Sequence, residues 1–97
     1  MQYRIDISPG RQGYARVDFA GRALAIEVGS HVGPVWLVGV SDLTKPGEGS
    51  VTVRAPSAND AVWKVAQAAV RAVAELTGSR LDGDITPSQD DPPTNQP

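Results

Sequence analysis

The sequence predicts an α+β domain: a four- to five-stranded antiparallel β-meander with one C-terminal α-helix packed across one face. Three observations predict it. Short segments with apolar residues at every second position recur through the first 55 residues, each bounded by Gly or Pro. One long segment, Ser57 to Gly78, changes to a three-and-four spacing. The chain is 97 residues long, which suits one small domain whose sheet needs a single cover.

The elements follow in order. Tyr3, Ile5 and Ile7 alternate with Arg4 and Asp6, a half-buried strand. Residues 9–13, Pro-Gly-Arg-Gln-Gly, form a turn. The second strand runs from Tyr14 to Ala20, with Ala15, Val17 and Phe19 on one face. Gly21-Arg22 is a short hairpin connection. The third strand, Ala23 to Val28, points Leu24, Ile26 and Val28 inward and Ala23, Ala25 and Glu27 outward. Residues 29–34 read as a loop. Val35 to Val40 is apolar at both parities, the pattern of a strand covered on both sides. Residues 42–49 read as a second loop and Ser50 to Ala55 as the fifth strand, ended by Pro56.

Ser57 is a natural N-cap with Asp60 three residues on, and Gly78 is a natural C-terminal stop. Val62, Ala66, Ala69, Val73 and Leu76 form the expected buried stripe. Asp60, Lys64, Gln67, Arg71 and Glu75 form the solvated one. The buried stripe is rich in alanine, so the helix can lie close to a sheet. The domain is expected to span residues 1–81. Residues 82–97 hold four acids, four prolines and one large apolar residue, a composition that predicts a disordered acidic tail.

Composition excludes several functions. With no Cys and a single His, the chain cannot build thiolate metal sites, disulfides or a cysteine nucleophile. No apolar run approaches the roughly 20 residues of a membrane helix. Without a leader pattern, a soluble cytoplasmic protein is expected. Residues 1–81 carry nine basic and seven acidic groups, and residues 82–97 carry four acids alone.

No arrangement of residues points to catalysis. His31 stands without a partner acid or nucleophile in its Gly/Pro loop. Asp6 and Asp18 lie beside Arg4 and Arg16, where cross-strand charge pairing accounts for them. Lys45-Pro46-Gly47-Glu48-Gly49-Ser50 has the ingredients of a phosphate loop in the wrong order, since the Lys precedes the glycines and a strand follows. No enzyme activity, cofactor or metal is expected.

The first functional reading is therefore a small non-enzymatic interaction module. It would present an apolar sheet face or edge to a protein partner, or to a second copy of itself as a homodimer. One helix covers only one face of a small sheet, so the doubly apolar strand leaves an apolar surface to be met. The residues singled out are Trp36, Val38 and Val40, with Trp63 at the rim of the helix as a core cover or an anchor. The second reading is a single-stranded nucleic-acid binder using Arg4, Tyr14, Arg16 and Arg54 on an open sheet face. An enzyme with an unrecognised site is a third.

The order of Tyr14, Asp18-Phe19 and Gly21, an apolar strand, then Lys45-Pro46-Gly47 before the last strand, closed by one helix, resembles a family of positive transcription cofactors. The likeness spans residues 3–76. It implies a sheet that dimerises through its helices and binds single-stranded DNA, in line with the second reading.

Overall fold

The computed structural model describes residues 2–8, 10–19 and 21–78. The expected tail over 82–97 and the domain boundary at 81 lie outside the described residues.

Five strands and one helix follow one another: β1 (Tyr3–Ile7), β2 (Tyr14–Phe19), β3 (Arg22–Val32), β4 (Val35–Asp42), β5 (Glu48–Arg54) and α1 (Ala58–Thr77). The strands form one open antiparallel sheet in sequence order, with β1 and β5 at its edges. The helix crosses one face and touches every strand. The α+β meander with a covering C-terminal helix is thus the observed architecture.

The period-two pattern does what it predicts in the first three strands. Ile5, Ile7, Ala15, Val17, Phe19 and Ile26 are buried beneath the helix. On the other side lie Arg4, Asp6, Arg16 and Glu27. Ala23, expected in solvent, is buried instead, and its carbonyl accepts from the Leu43 N–H where the β4–β5 connection folds back.

Two expectations about extent are corrected. Residues 29–32 are strand, not loop. A bulge between Val28 and Ser30 absorbs Gly29, after which Ser30, His31 and Val32 pair with Leu37, Trp36 and Val35. The connection is only Gly33–Pro34. Gly33 has φ 58° and Pro34 a ring-locked negative φ, the combination of a glycine-first primed hairpin turn. At the other end, Asp42 belongs to β4, and Glu48 and Gly49 belong to β5.

The helix is capped as its sequence predicts. The Ser57 hydroxyl oxygen accepts from the Asp60 N–H at 3.2 Å, and Gly78, with φ 67°, donates its N–H to carbonyls of the last turn. The buried line, however, is Val62, Ala66, Val70 and Ala74, joined by Ala61 and Val65. This is an i, i+4 row, which winds around the helix as the helix crosses the sheet. Leu76 lies off that row and is 86% exposed, so it is not part of the core.

The corner between β5 and the helix is tied from both sides. Trp36 Nε1 donates to the Ala55 carbonyl at 2.9 Å, and Lys64 Nζ to the Arg54 carbonyl at 2.8 Å. A second tie joins the helix to the β1–β2 hairpin, where the Gly13 N–H donates to Asn59 Oδ1 at 2.8 Å.

Candidate interaction face

Register assigns every strand residue to one of two faces. Trp36, Val38 and Val40 point to the helix side. Val38 pairs with Val28 and Val51, and Trp36 with His31 and Val53. Val38 has no exposed surface, and Trp36 and Val40 pack against the core. The placement of these three on the free side of the sheet is therefore corrected. The strand is apolar at both parities, and it is the other parity, Val35, Leu37, Gly39 and Ser41, that the helix leaves open. Trp63 is half-buried and packs on the core from the helix, the rim position expected of it.

The open face carries Arg4, Tyr14, Arg16 and Arg54, as expected, but does not gather them. Arg4 Nε lies 3.1 Å from an Asp6 carboxylate oxygen, and Arg16 is paired with Asp18 at 3.1 Å. Arg11 pairs with Glu27 and lies 4.8 Å over the Tyr14 ring. Arg54 stands at the far edge opposite Val35, three strands away from Arg16. Arg4, Arg11, Arg16 and Arg54 thus share the face with Asp6, Asp18, Glu27 and Glu48. Charges tile the β1–β2 half in alternating sign, while the β4–β5 half holds Val35, Leu37, Gly39, Ser41, Ser50 and Thr52, with charges only at its ends.

That second half is the shaped part of the face. Gly39 and Gly29, with Ala25, Ser41 and Ser50, floor a shallow trough walled by Leu37 and bordered by Glu27, which lies opposite Gly39 and pairs with Arg11. Val32 at 84% exposed and Leu37 at 43% form its apolar end, together with the half-buried Val35. Small residues let a partner approach the backbone, and the apolar end supplies area to bury. The signal in the sequence was the run of small residues at alternate positions in β4 and β5, masked there by the larger Trp36, Val38 and Val40 between them.

The loop after β4 is held by Asp42. Its carboxylate accepts from the Thr44 hydroxyl at 2.6 Å, from the Thr44 N–H at 2.9 Å, and from Arg22. The Thr44 hydroxyl, the Thr44 N–H and Arg22, in that order, hold its carboxyl far below the usual carboxylate range, against the opposing effect of desolvation. A depressed folded-state pKa contributes stability that is present above the ordinary carboxylate pKa and is lost as pH falls through and below it. Asp42→Asn should therefore be less stable than the parent near pH 7, with the difference closing as the pH is lowered below about 4. Urea denaturation at a series of pH values checks this. A difference independent of pH would contradict it.

His31 stacks on Trp36, with ring centroids 4.1 Å apart, and its Nδ1 lies 3.1 Å from the Gly33 carbonyl. Both partners lie in the β3–β4 hairpin. Among the described residues no three His, Asp or Glu side chains converge as metal ligands, and no helix is long and apolar enough to cross a membrane.

Comparison with protein-family models, with curated proteins and with solved structures finds no match for this chain.

Proposed function

We propose that this chain is a non-enzymatic interaction module that engages a protein partner through the β4–β5 half of its open sheet face. The observation that supports this reading is the division of that face. One half is neutralised by its own ion pairs. The other carries charge only at its ends, holds a trough bordered by Glu27, and ends in the exposed apolar residues Val32 and Leu37. A partner segment bringing an apolar side chain beside Leu37 and its backbone over Gly39 fits this shape, with Glu27 at the border still held by Arg11.

The nucleic-acid reading has less support. Arg4 and Arg16 are each paired with a neighbouring carboxylate, so a phosphate approaching either meets a like charge beside it and gains less from the contact.

The test is selective capture. Immobilised wild-type protein, Leu37→Asp and Arg16→Ala are compared by quantitative mass spectrometry. A partner retained by wild type and Arg16→Ala but lost at least tenfold on Leu37→Asp supports the reading. Labelled oligo-dT is titrated in parallel. Binding of oligo-dT that weakens steeply with salt and is lost on Arg16→Ala would overturn the protein-partner reading in favour of single-stranded nucleic acid.

A further inference from the structure

Strand β5 is an edge strand with a self-complementary sequence, and we infer that it pairs with β5 of a second copy of this chain, antiparallel and centred on Val51.

The β4–β5 register fixes which backbone groups of β5 reach the open edge. The Asp42 N–H donates to the Gly47 carbonyl, and the Ala55 N–H donates to the Pro34 carbonyl. Both pairs lie in the same β4–β5 register as Val38 and Val51. Antiparallel strands alternate residues that bond to their neighbour with residues that do not. Odd-numbered residues of β5 therefore turn their N–H and C=O toward β4, and Glu48, Ser50, Thr52 and Arg54 turn theirs to the open edge. The Lys64 contact agrees, since it reaches the Arg54 carbonyl from outside the sheet. Among the described residues no strand lies beyond β5.

The two edges of the sheet differ. β1 has charges inside its five residues, at Arg4 and Asp6. These features blunt an edge against pairing. β5 reads Glu-Gly-Ser-Val-Thr-Val-Arg, with charge only at its ends and five uncharged residues between. Its residues are exposed apart from the half-buried Val53, and Val51 is 43% exposed.

The sequence then selects the register. A two-fold axis at Val51 sets Ser50 opposite Thr52 of the second copy, and Glu48 opposite its Arg54. All four are residues whose backbone groups face outward, so the Ser50–Thr52 pair exchanges two backbone hydrogen bonds, while at the Glu48–Arg54 pair the Arg54 carbonyl, which already accepts from Lys64, receives the Glu48 N–H on its second lone pair. On the open face, Glu48 meets Arg54 on both sides of the axis, and Ser50 and Thr52 meet as a hydroxyl pair. Both are favourable cross-strand combinations. On the helix face, the two Val51 side chains meet at the axis in the closer, non-hydrogen-bonded geometry. Moving the axis to Ser50 or Thr52 keeps the outward groups paired but leaves Glu48 and Arg54 apart. A parallel arrangement sets like charges side by side. Only the Val51 register satisfies both ends.

The product is a continuous sheet of two copies, in which the uncharged halves of the two open faces lie next to each other. The pairing uses the strand edge and does not depend on what the face binds, so the two proposals succeed or fail separately.

Sedimentation equilibrium of the full chain over roughly 10–500 µM tests it, a range suited to a small interface dominated by main-chain bonds. Wild type is expected to approach twice its 10.2 kDa mass within that range. Arg54→Glu places like charges together twice and should weaken association at least tenfold. Adding Glu48→Arg to it should restore association. Thr52→Pro removes an N–H that serves only the outer edge, so it should yield a monomer with an unchanged far-UV circular dichroism spectrum. A wild-type monomer at every concentration would overturn the inference. So would a dimer indifferent to both Thr52→Pro and Arg54→Glu.

Discussion

Replacing Gly13 by Ala is expected to destabilise the fold by about 3 kcal/mol, the sum of left-handed backbone strain and overpacking. Gly13 has φ 74°, and a Cβ there would meet Val28 Cγ2 at 2.4 Å and Ala58 Cβ at 3.2 Å. Neither neighbour can move freely. Val28 is in β3 of the sheet, and Ala58 is the first residue of the helix. The same glycine donates to Asn59 Oδ1 and accepts from the Val28 N–H, so displacing it loosens the join between hairpin and helix. Domains of this size have only about 4–12 kcal/mol in all, and a loss of 3 kcal/mol should lower Tm by roughly 15 °C or more. Gly21→Ala is the control. Gly21 has φ 75° but open space around its Cβ position, so it should show the strain alone, about 1 kcal/mol. Thermal unfolding of the two variants checks the difference. Equal effects would contradict close packing of Gly13 between β3 and α1.

This join is also where legibility in the sequence ends. The turn over residues 9–13 could be read because Pro and Gly supply its backbone angles. The partner of Gly13 could not, because Asn59 lies 46 residues away and looks like an ordinary first-turn helix residue. The strands and both helix caps were readable for local reasons. Alternation of apolar and charged residues assigns faces in β1 and β2, and Ser57 and Gly78 act within one turn of the helix.

The third and fourth strands show where local reading fails. Gly29 to Pro34 carries every sign of a loop, yet a single bulge lets the chain continue as strand to Val32. In β4 the difficulty is one of parity. Val35, Leu37, Trp36, Val38 and Val40 are all apolar, so periodicity cannot say which set the helix covers. The choice is made by the register that the Gly33–Pro34 turn and the Gly29 bulge impose. Trp36, Val38 and Val40 are the bulkier set, and the fold packs them against its core. The open face was legible for Arg4, Tyr14, Arg16 and Arg54. Their mutual distances and their pairing with Asp6, Asp18 and Glu27 depend on tertiary placement.

The β5 edge was only half legible. Its composition shows a strand with charge at its ends. That the strand ends the sheet, and that its even-numbered backbone groups face outward, follows from the register with β4.

The open side of β4 is the Leu37 side, and the helix covers the Trp36–Val38–Val40 side. The chain has no native cysteine, so Leu37→Cys and Val38→Cys each introduce one thiol. Cysteine behaves as a small apolar residue at either position. Leu37 is 43% exposed and Val38 not at all, although they are neighbours in the same strand. A thiol at 37 meets reagent directly. A thiol at 38 reacts only when the helix and sheet part, an opening that costs at least about 3 kcal/mol in a folded core. The measurement is the rate of maleimide modification of the two variants under native conditions. Cys at 37 is expected to react at least about 100-fold faster than Cys at 38, with the rates converging in denaturant. Equal rates, or faster reaction at 38, would contradict the assignment of faces on which the proposed interaction surface rests.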